Sequence, residues 1–246
     1  MERIRIRVIG HRGAAALAPE NTWAGFDLAL GLGVDAIETD VRATRDGVLV
    51  LLHDERLDRT TDGSGPVHEA DWPDVQSLDA GAWFGARYVG QRVPTLRETL
   101  ERYGERTRIV LEIKQDGVEE EALAMVRSLG LLGSVAFTSF SFPIAAWLKS
   151  TCPQAKVGYL SSQVGPEVVQ RVLDARLDQF CPPAGSVTRE LVSAWQAMGL
   201  EVRAWGVRDA ELMHRAIRAG VDGMTVDYPH LLLEALGRRA GGTPSI

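Results

Sequence analysis

Lysine is almost missing from this chain: Lys114, Lys149 and Lys156 are three residues among 27 basic ones. Cysteine is as scarce, with Cys152 and Cys181 far apart and at no metal or redox spacing. They read as two small apolar residues in a reducing compartment. A surplus of positive charge is absent as well. The formal net charge is −6, and no basic stripe appears, which argues against nucleic acid as a partner. No apolar run is long enough to span a bilayer, and MERIRIRVIG lacks the apolar core of a signal peptide. The expectation is a cytoplasmic protein without stable membrane insertion, acting on a small molecule; a homodimer is compatible with it. Neither a GxGxxG nor a Walker loop is present, so a doubly wound nucleotide-binding sheet loses its main support.

What is present is an alternation of short β-branched runs with longer helical patterns, the mark of βα units around a parallel sheet. Strands are expected over 5–9, 36–41, 48–52, 108–113, 135–138, 157–160, 179–181, 202–205 and 223–226. Helices are expected over 22–32, 96–103, 118–129, 167–175, 189–198 and 209–219. Several end at a glycine (Gly33, Gly104, Gly130, Gly199, Gly220), as C-cap chemistry prefers, and Asp209 is a suitable N-cap. With 36–52 counted as one hairpin-like excursion, about eight strands remain, and 246 residues suit a single α/β domain, a (β/α)8 TIM barrel. One stretch breaks the rhythm. Residues 54–93 are rich in Asp, Gly, Pro and Thr and carry Trp83, Phe84 and Tyr88. So long a connection is usually functional, and it reads as a small insertion, a lid or subdomain after the strand ending in His53. The tail from Gly237 onwards reads as a frayed terminus.

Polar residues collect at the strand ends, where a barrel builds its active site. His11, Arg12 and Gly13 follow the first strand. Glu38-Thr39-Asp40 and Glu112-Ile113-Lys114 each set two charged residues on one face, because side chains two apart on a strand point the same way. Three carboxylates and an ammonium then converge if the two strands are neighbours. Glu38, Asp40 and Glu112 offer only oxygen, which suits a hard cation such as Mg2+ or Ca2+. The bland alternative is a salt-bridge network with Arg12 and Lys114. His11 and His53 exchange protons near neutral pH without extreme tuning, and a phosphodiester cleavage needs both a base and an acid. Arg12 through its fork and Lys114 as a point charge suit phosphate oxygens. In so lysine-poor a chain, Lys114 at a strand end is no casual solvating charge. Glu20 and Asn21 precede a helix start and could brace the His11 loop; Trp205 packs over a ligand or in the core. His68, His214 and His230 lack the strand-end context.

These residues sit in motifs that together resemble one family. HRG-x5-PENT from His11 to Thr22 is followed by GVDAIETDV, TRDGVLVLLHD, LDRTTDGSGPV, VPTLRETL, VLEIK, RAWGV and GVDGMTVDYP. In order and spacing this is similar to the glycerophosphodiester phosphodiesterases. The resemblance implies a TIM barrel with an insertion after the second histidine. It also implies His11 and His53 as the acid/base pair, and Glu38, Asp40 and Glu112 as ligands of one divalent cation. Arg12 and Lys114 would contact phosphate, with Asn21 and Trp205 lining the substrate site. The implied reaction is hydrolysis of a glycerophosphodiester to sn-glycerol 3-phosphate and an alcohol. The chain departs from the family at Gly206-Val207-Arg208-Asp209, where a Thr and then an Asn are more usual, which bears on substrate preference. The same site on a lysophospholipid would make a lysophospholipase D, with Trp83, Phe84 and Tyr88 as an apolar entrance. A carbon–carbon lyase would not need two strand-end histidines, and a phosphate-binding protein without turnover would not need them intact.

Overall fold

Alternate residues of the barrel strands, such as Ile37 and Val41 or Ile109, Leu111 and Ile113, are apolar, and that half of each strand meets the helices. In the computed structural model, which describes residues 6–238, nine strands form one sheet. They are β1 (Arg7–Gly10), β2 (Ala36–Ala43), β3 (Leu49–Leu51), β4 (Arg108–Ile113), β5 (Val135–Ser139), β6 (Lys156–Leu160), β7 (Gln179–Cys181), β8 (Glu201–Ala204) and β9 (Gly223–Val226). All but β3 are parallel, and β1 pairs with both β2 and β9, so eight strands close into a (β/α)8 barrel. The expected strand start at residue 5 and the tail beyond Arg238 lie outside the described residues. Arg238 itself is tied down, donating to both oxygens of Asp35 at 2.5 and 3.0 Å.

Helices α1 (Trp23–Leu32), α2 (Trp72–Val75), α3 (Leu96–Tyr103), α4 (Glu119–Ser128), α5 (Phe142–Thr151), α6 (Pro166–Asp174), α7 (Arg189–Ala197), α8 (Ala210–Ala219) and α9 (Pro229–Ala235) follow in order. Local chemistry sets their ends. Thr22 accepts from the Gly25 amide, Asp209 from Leu212, and Thr95 with Glu98 makes a reciprocal capping box. Gly33 and Gly220 close α1 and α8 in the left-handed conformation, with φ of 90° and 81°. Gly104 closes α3 at φ −60° instead, so its glycine serves space: a Cβ there would lie 2.4 Å from Leu131 Cδ1.

The two faces of the sheet differ in kind. Ile109, Leu111 and Ile113 join the main apolar core between strands and helices, each worth about 1.5–3 kcal/mol on burial. The inward positions hold only a small separate cluster of Ile9, Ala36 and Val110. Above it the interior turns polar, with Glu38, Asp40, Glu112 and Arg203 all buried. Buried polar groups of this kind demand partners.

The expected excursion is a true hairpin. β3 runs antiparallel to β2, with Val41 opposite Leu51 and Ala43 opposite Leu49. His53 therefore does not end a barrel strand; it arrives by a return stroke, and the Leu52 amide donates to the Asp40 carbonyl at 3.1 Å. The segment after it packs around Leu57, Val67, Val75, Ala80 and Val93, a second apolar cluster shared with Val50 and Leu52. Among the described residues no helix is long and apolar enough to cross a membrane.

Candidate active site

The β1–α1 loop is shaped by its glycines. Gly13 sits at φ 92°, and a Cβ on it would lie 2.5 Å from the Gly25 carbonyl carbon. Gly10 is as crowded, with the Gly13 carbonyl oxygen 2.2 Å from its hypothetical Cβ. This tight turn lays Arg12, itself left-handed at φ 49°, across the top of β2. Its backbone amide donates to Glu38 Oε2 at 3.0 Å, its Nη1 to Glu20 Oε1 at 2.8 Å, and its Nε lies 3.2 Å from Asp40 Oδ2.

Strand register unites the two acidic pairs: Glu38 stands opposite Val110 and Asp40 opposite Glu112. Glu38, Asp40 and Glu112 each present an oxygen, all within 4.8 Å of one another, and all three are buried. Lys114 Nζ lies 2.7 Å from Glu112 Oε1 and 3.4 Å from Asp40 Oδ1, and among the described residues neither oxygen has any other partner. The electrostatics is strained in one direction. Burial and the Asp40 charge push the Glu112 carboxyl up to about 7, and the same two causes raise Glu38. Burial also opposes the Asp40 charge, but Lys114 and Arg12 outweigh it and hold Asp40 below the usual range. Three clustered carboxylates with under-used oxygens fit a hard divalent cation. The salt-bridge network expected as the alternative is present too, so the cations and the acidic cluster share one site.

Both histidines are held from behind by a carboxylate. His11 donates from Nδ1 to Asp227 Oδ1 at 2.5 Å, leaving Nε2 3.9 Å from Glu38 Oε2. His53 donates from Nδ1 to Asp54 Oδ1 at 2.7 Å. Burial favours the neutral ring of His11, yet Glu38 and Asp227 outweigh it and raise its pKa above that of an ordinary imidazole. Burial dominates at His53 and lowers its pKa. Asp54 is kept strongly acidic by Arg59, which donates to its Oδ2 from Nε at 2.6 Å and to its Oδ1 from Nη2 at 3.0 Å. The same guanidinium grips Glu20 through Nη1 and Nη2 at 2.7 and 2.8 Å. Arg59 thus ties the His53 anchor to the Arg12 anchor.

A cleft of about 310 Å³ collects His11, Arg12, Glu38, His53, Glu112 and Lys114, with Trp205 on its wall. Trp205 donates from Nε1 to the Cys181 carbonyl at 2.9 Å and meets Phe140 edge to face at 5.0 Å. Asn21 stands behind the acidic cluster and does not line this cleft: its Nδ2 donates to Asp40 Oδ2 at 2.9 Å, and its Oδ1 accepts from Thr39 at 2.7 Å. Trp83, Phe84 and Tyr88 do not line it either; they stack edge to face on one another, so the apolar entrance expected for a lysophospholipid is absent from its wall. Sequence reasoning left out Asp227, Asp54 and Arg59. Asp227 follows β9 as Glu112 sits near the end of β4, so the strand-end rule reaches it. Arg59 carries no local signal, because only the fold of the insertion brings it back.

A barrel whose polar interior opens on paired carboxylates, cations and two anchored histidines defines a class, the barrel enzymes acting on phosphate esters. The chain matches the glycerophosphoryl diester phosphodiesterase family over residues 11–231. A glycerophosphodiester phosphodiesterase of Caldanaerobacter subterraneus subsp. tengcongensis is 36% identical over 96% of this chain and 98% of its own. Crystal structures agree in fold. The glycerophosphodiester phosphodiesterase of Agrobacterium tumefaciens is 32% identical with a TM-score of 0.83, covering 94% of this chain and 100% of that one. A phosphodiesterase of Oleispira antarctica, solved with the product sn-glycerol-3-phosphate, is 31% identical with a TM-score of 0.83 over 94% of this chain and 96% of that one. The chain belongs to the glycerophosphoryl diester phosphodiesterase family and is a phosphoric diester hydrolase.

Proposed function

We propose that the enzyme hydrolyses glycerophosphodiesters to sn-glycerol 3-phosphate and an alcohol, with one divalent cation, Mg2+ or Ca2+, held by Glu38, Asp40 and Glu112. The observation that carries this reading is the meeting, in one cleft, of two carboxylate-anchored histidines with a buried three-carboxylate cluster. When bound, such an ion supplies Lewis-acid charge that polarises the phosphoryl group. Arg12 and Lys114 orient the phosphoryl oxygens; both stay fixed by their carboxylate partners while doing so. Of His11 and His53, one takes the proton of the attacking water, or of a neighbouring substrate hydroxyl whose cyclic phosphate water then opens, and the other returns a proton to the departing alcohol oxygen. Asp227 and Asp54 hold each Nδ1–H, which leaves each Nε2 to work on the substrate. Asn21 acts one step back by fixing Asp40, and Trp205 walls the cleft. Residues 54–93 serve as a bracing subdomain, through Arg59. A cytoplasmic setting suits the two buried, unbridged thiols.

The test is turnover of glycerophosphocholine and glycerophosphoethanolamine by purified protein with Mg2+ or Ca2+. Release of glycerol 3-phosphate should stop with a chelator and fall by about 10²–10⁴-fold in His11→Ala. Diesters left intact under every metal condition would end the reading. Faster turnover of lysophosphatidylcholine than of glycerophosphocholine would move the substrate to lysophospholipids.

A further inference from the structure

Among the described residues, Arg203 carries the least explained charge. It lies on β8 at an inward position of the barrel and is 2% exposed. In register it stands beside Gly223, and its Nη1 donates to Thr225 Oγ1 at 2.5 Å, one inward position nearer the active-site end. The side chain therefore rises towards the cleft, and both Arg203 and Thr225 line it. Nε and Nη2 have no oxygen or nitrogen partner, the neutral Cys181 thiol beside the guanidinium supplies no counter-charge, and among the described residues no carboxylate comes within ion-pair distance. A guanidinium does not give up its proton in a protein, and a buried charge without a counter-charge is expensive.

Three other cations line the cleft: Arg208 is exposed to solvent, whereas Arg12 and Lys114 are in the opposite condition to Arg203. Arg12 is matched by Glu20 and Asp40, and Lys114 by Asp40 and Glu112. Their charge is already answered before any substrate arrives. Of Arg12, Lys114 and Arg203, only Arg203 brings buried, unanswered positive charge to the floor of the pocket, on the donor nitrogens Nε and Nη2. Such a fork matches the spacing of anionic oxygens.

We propose that Arg203 is a substrate-binding residue whose Nε and Nη2 donate to an anionic oxygen of the diester. The inference rests on the phosphodiesterase reading above. The oxygen belongs to the phosphoryl group or to an acidic group on the alcohol half, and the two sources are separable by experiment. Thr225 fixes the guanidinium from the side that the ligand does not use. Binding of the substrate then supplies the counter-charge that the fold withholds.

Arg203→Met tests this, because it keeps the unbranched stem of the side chain and removes the charge. Calorimetry with glycerol 3-phosphate should show a Kd weakened by about 10–100-fold. The melting temperature of the free protein should be no lower than that of the wild type, since an uncompensated buried charge has been removed. If the affinity for glycerol 3-phosphate is unchanged but kcat/KM for glycerophosphoserine falls about 10-fold relative to glycerophosphoethanolamine, the oxygen lies on the alcohol half. Unchanged binding and an unchanged substrate ratio, with a melting temperature several degrees lower, would make Arg203 a structural residue and overturn the proposal. Should Arg203→Met not fold, Arg203→Lys keeps the charge and loses the second donor. A weakened Kd or a shifted substrate ratio in that variant supports the proposal, and neither overturns it. Failure of the parent reading looks different: wild-type protein would neither bind glycerol 3-phosphate nor release it.

Discussion

Asp227→Asn strikes the contact that holds His11 and leaves the shape of the side chain nearly intact. In the wild type the carboxylate accepts from Nδ1 at 2.5 Å, which fixes the ring and keeps Nε2 turned towards Glu38. An amide in its place loses the charge and can turn its NH2 towards Nδ1, which moves the ring proton to Nε2 and reverses the tautomer. A hydrogen bond to a charged group contributes about 1.5–3 kcal/mol. The Asp227 side chain is 43% exposed, so solvent screening argues for the low end of that range. At about 1.5–2 kcal/mol the loss is roughly 10–30-fold in kcat, since 1.4 kcal/mol is a factor of ten. The assay is release of glycerol 3-phosphate from glycerophosphocholine at pH 7 under saturating substrate and Mg2+, with cation affinity measured alongside. Because Asp227 touches none of the three clustered carboxylates, cation affinity should stay within about two-fold. A kcat within two-fold of wild type would refute the reasoning that His11 works through its anchored ring.

Other perturbations have distinct expected outcomes. Arg59→Ala cuts the tie between Asp54 and Glu20 without touching the cleft; kcat should fall by about 3–10-fold, and a KM change with kcat intact would contradict a positioning role. Gly13→Ala meets the Gly25 backbone and an unfavourable φ of 92°, so a loss of at least about 2 kcal/mol is expected, or roughly 4–8 °C in melting temperature. Glu201 is held below the usual carboxylate range: burial opposes its charge, but Arg7 and Lys156 outweigh it. A depressed folded pKa contributes stability above the unfolded value of 4.5, and that stability disappears as pH falls through the folded value. Glu201→Gln should therefore lower the melting temperature more at pH 7 than at pH 3; an equal drop at both would show that the charge is not what matters.

Strand periodicity made the barrel legible, because β-branched runs such as VLEI and GMTV alternate with capped helices whose ends Thr22, Thr95 and Asp209 mark. The acidic cluster was legible for the same reason. Residues two apart share a face, and the β2–β4 register does bring Asp40 opposite Glu112. His53 was found at the right place by an incomplete argument. It follows a strand, but that strand is the antiparallel β3, and the hairpin returns the histidine to Asp40. Asn21 shows the limit of motif reasoning: a polar residue close to the first loop turns inward to bind Asp40 and never reaches the cleft wall. Arg59 and Arg203 were silent in the chain, because in an arginine-rich sequence neither spacing nor composition sets one guanidinium apart. Only the long-range pairing of the first and the missing partners of the second distinguish them.

The central claim is that one cation and one phosphoryl group meet between His11 and His53. A crystal structure with Mg2+ or Ca2+ and sn-glycerol 3-phosphate tests it most directly. The prediction is a single ion ligated by Glu38, Asp40 and Glu112, with the phosphate within hydrogen-bond reach of both imidazoles and of Lys114. An ion bound elsewhere, or a phosphate out of reach of either histidine while Glu38, Asp40 and Glu112 keep only Arg12 and Lys114 for company, would contradict it.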